Sequence, residues 1–470
     1  MDATDLAYAG ATEQARLIRE GEASSREVVE ATLGRIELLN GELNHYRVVF
    51  AERALAEADQ ADARRASGQE RLLLGVPVAI KDDADIAGEI TAFGTGAYGE
   101  PKRADCDVVA RLREAGAIVV GKTHVPELTM WPWTTSVTWG AARNPWNKER
   151  TTGGSSGGSA GAVASGMCGV ALGSDGGGSI RYPAALCGLF GIKPQRDRIS
   201  LGPDHHDGWN GLTAYGPIAR SVADAAAFLD ATADGGPAGG YLAALTEPAG
   251  KLRIAVSLKP PQGSLARLGA DQRRAVDETA ELLRSLGHEV FERQVDLPLT
   301  TTLNMVTRYL RGIEQDAATL PRRERLERNA RKLTRLGAML PDSLLAKARQ
   351  GEADLAARIN SVFDVADVVL MPMIPGQAPR ITDLTGRGAA WSFNRAATEC
   401  AYTSPWNVIG QPAASVPAGF DADGLPLAVQ LCGRAGDEVT LLRLSAQIEE
   451  ARPWAAQRPA LGAPAALAAA

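Results

Sequence analysis

The sequence predicts an α/β protein, with a sheet covered by helices on both faces. Two observations carry the prediction. Short, wholly apolar runs recur between segments of helical periodicity, the pattern of strands buried on both sides. A chain of 470 residues, 45% hydrophobic and 23% charged, is also long enough and apolar enough to enclose a large core.

The elements follow in order. Residues 4 to 67 are expected to be mostly helical, with Ser24 or Ser25 as an N-cap ahead of Glu27. The runs LLLGVPVAIK, AIVVGK and VALGS are expected strands, as are LRIAVSL, VVLMPMI and AASVPAG later on. DVVARLREAGA and QRRAVDETAELLRSLG have helical spacing between them. Residues 300 to 362, rich in Arg, Glu and Leu, are expected to be helical throughout and to form an excursion from the sheet. The expected organisation is one domain over 1–470: a helical region at 1–67, a core at 68–230, the excursion at 300–362, and a return to the core at 363–458. The tail at 459–470, ending APAALAAA, is expected to fray.

Composition excludes several classes of function. A net charge of −6 without a Lys/Arg stripe gives no footprint for nucleic acid. The uncharged run from Thr151 to Ser174 holds eight glycines and five serines, too polar for a membrane span. The N-terminus lacks the features of a secretory signal. Five cysteines, Cys106, Cys168, Cys187, Cys400 and Cys432, are scattered without metal-ligand spacing. The expectation is a cytoplasmic protein with reduced thiols, no metal and no membrane contact.

Three familiar motifs match by spacing and fail on context. Gly116 to Thr123 fits GxxxxGK[ST], but AIVV is itself a strand where a phosphate loop needs a turn. Gly94 to Gly99 fits GxGxxG, but Glu100-Pro101 stand where a dinucleotide fold starts its helix. Gly153-Gly154-Ser155-Ser156-Gly157 fits the elbow GxSxG, whose histidine comes last in the chain. The last histidine here is His288, and His205-His206 lie in what looks like a solvated or packed loop. A base other than histidine is required. Lysine is scarce, nine against forty-one arginines, and Lys81 ends the run GVPVAI. Burial at a strand end would lower its pKa and make it a proton acceptor, whereas Asp82 and Asp83 would act oppositely, so their orientation matters. A salt-bridged structural lysine is the competing reading.

Lys81 does not stand alone. GVPVAIKD, GGSSGGS and GSDGGGSIRYPAALCGLFGIKP together resemble the amidase signature family, as do GKTHVPE, RNPWN, GPIARSVADAA, PWNVIGQPAASVPAG and GLPLAVQL. The resemblance spans nearly the whole chain, and Ser155 and Ser179 follow Lys81 at that family's spacing. It implies a large mixed α/β/α sheet, with Ser179 as nucleophile, Ser155 as proton relay and Lys81 as base. It also implies a cis peptide bond before Ser155 and no cofactor. Gly176, Gly177 and Gly178, with the N–H of Ser179, would form an oxyanion hole. Asp175 and Arg181 read as anchors of that loop. The partner would be a small-molecule amide, and a homodimer stays open.

Substrate class follows from two further stretches. In the glutamine-hydrolysing amidotransferase subunit, an aspartate holds the substrate ammonium; the corresponding position here is Cys400. Losing that carboxylate argues against glutamine. Met130 and Trp131, in MWPW, are expected to line a pocket for apolar or aryl amides. With TWGAARNPWN, that stretch resembles stand-alone bacterial amidases, including those acting on linear or cyclic aminohexanoate amides. The same relay would serve esters and carbamates. A silent amidase-fold binding protein is the alternative from a different class.

Overall fold

The apolar runs pair into one eleven-stranded mixed sheet in the computed structural model, which describes residues 1–203 and 207–461. Across the sheet the strands lie in the order Tyr46–Val49, Ile118–Thr123, Pro77–Lys81, Val170–Asp175, Ala214–Ala219, Phe190–Lys193, Ala413–Phe420, Pro426–Cys432, Val368–Pro372, Arg253–Val256 and Glu289–Glu292. Ile118–Thr123, Pro77–Lys81 and Val170–Asp175 run parallel, and so do the last three strands. The remaining neighbours are antiparallel.

Side-chain alternation sorts each strand between two cores. Val78, Ile80, Val170 and Leu172 join one apolar cluster with the helices Asp107–Glu114, Val222–Thr232, Ala270–Ser285 and Glu438–Ala451. Ala79 and Ala171 join another, with Ser25–Leu43, Ala51–Ala66 and Gly157–Ala164. Lys81 falls on the same face as Ala79. Both faces are covered, so a one-residue slip would press Val78 and Ile80 into the core that now takes Ala79 and turn Lys81 to the opposite face. The register of an apolar strand therefore fixes where Lys81 ends up.

At the N-terminus, Ser24 is the cap: its side chain accepts from Glu27 N, and Glu27 returns a bond to Ser24 N. Tyr46–Val49 is a short edge strand inside the region expected to be mostly helical. Residues 300–362 are not one continuous helix. Leu299–Thr319, Arg328–Ala338, Asp342–Gln350 and Glu352–Asn360 are separate helices, and Pro321 and Pro341, which lack the N–H a helix interior needs, fall in two of the breaks. All five cysteines are free thiols. Among the described residues no helix is long and apolar enough to cross a membrane. His205, His206 and residues 462–470 of the tail lie outside the described residues.

Candidate active site

Lys81 is the last residue of its strand and has no solvent exposure. Its Nζ lies 2.7 Å from Ser155 Oγ, 2.6 Å from Ser174 Oγ and 3.3 Å from the Ser174 carbonyl. The two neighbouring aspartates behave differently. Asp82 turns to Arg47 and Lys122, at 2.6 and 3.0 Å. Asp83 comes within 3.3 Å of Lys81 and accepts the Ser174 hydroxyl at 2.5 Å. Burial pushes the Lys81 ammonium below its ordinary range; the Asp83 carboxylate opposes this and does not reverse it. Lys122, the lysine of the false phosphate-loop match, is a buried strand residue bonded to Ile90 O and Thr91 Oγ1.

Ser155 follows a cis Gly154–Ser155 bond, and after it Ser156 is the N-cap of the helix Gly157–Ala164. That helix approaches the strand Ile118–Thr123 so closely that a Cβ on Gly158 would strike the backbone of His124. Glycine at 158 is thus a packing requirement, and the close approach carries Ser155 to the strand ends. His45 and His124 are both buried and pushed down to about 4, chiefly by burial, so they are neutral at pH 7. Neither lines the cavities at Ser179.

The segment from Asp175 to Arg181 is held from within. Arg181 donates to Asp175 at 2.9 and 3.0 Å, to Gln430 Oε1 at 2.7 Å, to Asn407 Oδ1 at 2.7 Å and to Thr403 O at 3.0 Å. Burial alone would raise the Asp175 carboxyl; the Arg181 guanidinium and Asn407 hold it well below the usual carboxylate range. Asp175 also accepts the N–H groups of Gly178, at 2.6 Å, and Ile180, at 3.1 Å. The Gly178 N–H, one of the donors expected for the oxyanion hole, is thus bonded to the Asp175 carboxylate. Gly176, Gly177 and Ser179 N–H groups have no hydrogen-bond partner among the described residues. Gly178 has a different duty: its φ of 132° and a position where a Cβ would strike Thr403 leave room for glycine alone.

Ser179 is half-buried and stands where two cavities meet. The larger, about 360 Å³, is walled by Met130, Trp131, Met305, Tyr309 and Phe393 and also touches Cys400. The smaller, about 50 Å³, contains Ser155, Ser174, Gly176 and Asp83. Lys81, Ser155 and Ser179 are therefore brought together, and Met130 and Trp131 reach the same place. Trp131 stacks on Trp133 with ring centroids 5.4 Å apart, and Tyr309 donates to the Met130 carbonyl at 2.8 Å. The Cys400 thiol is pushed up to about 12, chiefly by burial, and stays neutral.

The family model described as Amidase matches residues 27–442. The chain belongs to the amidase family. The "Putative amidase AmiB2" of Mycobacterium tuberculosis is 51% identical over 463 residues, covering 98% of this chain and 100% of the relative. The 6-aminohexanoate-cyclic-dimer hydrolase of Paenarthrobacter ureafaciens is 34% identical, with 98% of each chain covered. A solved structure of a 6-aminohexanoate cyclic dimer hydrolase superposes with a TM-score of 0.86 at 32% identity, over 97% of this chain and 99% of that one. This amidase thus has the amidase signature fold and is a hydrolase of a family acting on amide C–N bonds.

Ser174, Trp209 and Tyr309 escaped the sequence reading, and the orientation of Asp83 was left open by it. Ser174 sits in the strand run VALGS, where a hydroxyl reads as a strand end. Asp83 was one of two adjacent aspartates, and nothing local tells which turns inward. Trp209 and Tyr309 reach the cavity from a loop and from the helix Leu299–Thr319, far along the chain. The turn signal Asn210-Gly211 beside Trp209 was the one local clue.

Proposed function

We propose that the protein hydrolyses carboxylic amides with an apolar or aryl acyl group through an acyl-enzyme on Ser179. The observation that carries this reading is a fully buried Lys81 within 2.7 Å of Ser155, beside a nucleophile that opens onto an apolar cavity. A neutral amine has two N–H groups and one lone pair. Its N–H groups suit Ser174 Oγ and Ser174 O, leaving the lone pair for the Ser155 hydroxyl.

As Ser179 Oγ attacks the carbonyl carbon, its proton passes to Ser155 and the Ser155 proton to Lys81. The C=O π pair moves onto oxygen, where the N–H groups of Gly176, Gly177 and Ser179 are the available donors. Collapse of the tetrahedral intermediate breaks the C–N bond, and the relay run backwards protonates the leaving nitrogen. Water then attacks the ester by the same relay and frees the acid. Cys400, a neutral thiol at the cavity wall, offers no partner for the ammonium of free glutamine.

The test is covalent. A fluorophosphonate should label Ser179 stoichiometrically in the wild-type protein, and Ser179→Ala should abolish both labelling and turnover of amides. Intact mass during turnover of amides, esters and carbamates then shows which class acylates the enzyme. An adduct on Ser155 or a cysteine would overturn the assignment.

A further inference from the structure

Two cavities meeting at one nucleophile raise the question of which half of the substrate each receives. Resting on the reading of Ser179 and Ser155 above, we infer that the smaller cavity is the subsite for the departing amine and favours ammonia or a small alkylamine over an aryl amine, with Trp209 as the partition between the two spaces.

The direction follows from the relay. The nitrogen that leaves must receive a proton from Ser155, and Ser155 lines only the smaller cavity. The acyl chain then occupies the larger, apolar one. Size comes next. A water molecule needs about 10–15 Å³ of such space, and an apolar cavity that takes up benzene is about 150 Å³. A space of about 50 Å³ holds ammonia or methylamine and is far smaller than one that accommodates a ring. Its chemistry agrees. Asp83 lines this cavity and brings a carboxylate to it. Asp316, on the same lining, adds a second carboxylate that favours a departing amine as it gains a proton.

Trp209 lines both cavities. It is held in place on three sides: its indole N–H donates to Asp316 Oδ2 at 2.7 Å, and its ring meets Tyr309 edge-on at 5.1 Å. A Cβ on Gly176 would come within 2.7 Å of Trp209 Cε3. A wall so braced does not swing aside for a bulky amine.

The experiment holds the acyl group constant and varies the amine: 4-phenylbutanamide, its N-methylamide and its anilide. Aniline is the better leaving group, so intrinsic reactivity favours the anilide. We expect the wild-type protein to prefer the primary amide and N-methylamide by about tenfold or more in kcat/KM. Trp209→Leu, which joins the two spaces, should shrink that ratio by about tenfold. Both substrates form the same acyl-enzyme, so the ratio is unaffected by losses common to them. If Trp209→Leu does not fold, Leu201→Ala enlarges the same cavity from its other side and should move the ratio the same way. A wild-type protein that acylates on Ser179 yet cleaves the anilide as fast as the primary amide overturns the subsite. An unchanged ratio in folded Trp209→Leu and Leu201→Ala overturns it equally. Failure of Ser179 to acylate with any of the three amides instead overturns the proposed function.

Discussion

Replacing Arg181 by Met tests whether the Asp175–Arg181 pair holds the loop that carries Ser179. Both side chains are completely buried. The substitution removes the guanidinium from Asp175 and strips donors from Gln430, Asn407 and Thr403. Breaking a buried pair by deleting one partner costs about 3–5 kcal/mol, because the other charge stays behind. Unfolding entropy of about 2.1 cal/mol/K per residue, over 470 residues, is about 1 kcal/mol/K, so the melting temperature should fall by about 3–5 °C. Neutralising both partners in Arg181→Met/Asp175→Asn should recover part of that loss. The sign of the pH dependence provides a second check. Asp175 has its carboxyl depressed in the folded state, so the pair stabilises fully above the unfolded carboxylate pKa and less as pH falls through it. That acid-side slope should be absent from the double variant. Scanning calorimetry across pH reads all three. A single variant that melts with the wild-type protein, or a double variant worse than the single, would refute the reasoning.

Lys81→Arg and Lys81→Ala should each lower kcat/KM by about 10²–10⁴-fold, since Arg stays protonated and Ala has no base. Lys81→Ala should recover partly at high pH, and the wild-type acid limb should lie below the pKa of free lysine, as the burial of Lys81 requires; pH–rate profiles measure both, and near wild-type activity in Lys81→Arg would make Lys81 a structural cation. Glu127, whose neighbour Met130 lines the acyl cavity, is pushed up to about 8 by burial, with the Glu327 charge adding to it. The unfolded chain therefore ionises first, and stability should decline as pH rises from about 4.5 to about 8 and then level off. Glu127→Gln should flatten that decline in melting temperature; an unchanged slope would contradict the assignment.

The parts of the site legible in the sequence are those whose chemistry is local. Lys81 could be placed because it ends an apolar strand, and the glycine-serine block because, with Lys81 and the segment that follows, it resembles the amidase signature family. The loop's donors were legible as a group but not one by one. Asp175 binds the N–H of Gly178, a choice set by how the loop closes on Asn407 and Arg181 in three dimensions. Ser174 and the orientation of Asp83 were hidden because strand-end hydroxyls and paired aspartates are common and their direction depends on neighbours. The edge strand Tyr46–Val49 was too short to interrupt a helical region, and its pairing with Ile118–Thr123 is decided by the sheet.

Lys81 and Ser174 are strand residues and Ser155 leads into a helix on the sheet, whereas Met305, Tyr309 and Phe393 hang from Leu299–Thr319 and Ala389–Glu399. Under the proposed function, the proton path and part of the acyl-cavity wall thus come from different pieces of chain. A saturation library at positions 305, 306 and 393 samples new acyl shapes without altering any partner of Lys81. Exchange of the Leu299–Thr319 helix for a relative's counterpart would carry that relative's preferences across while the proton path stayed native. Diversification of such a lineage can proceed on its helices, with the sheet left unchanged beneath them.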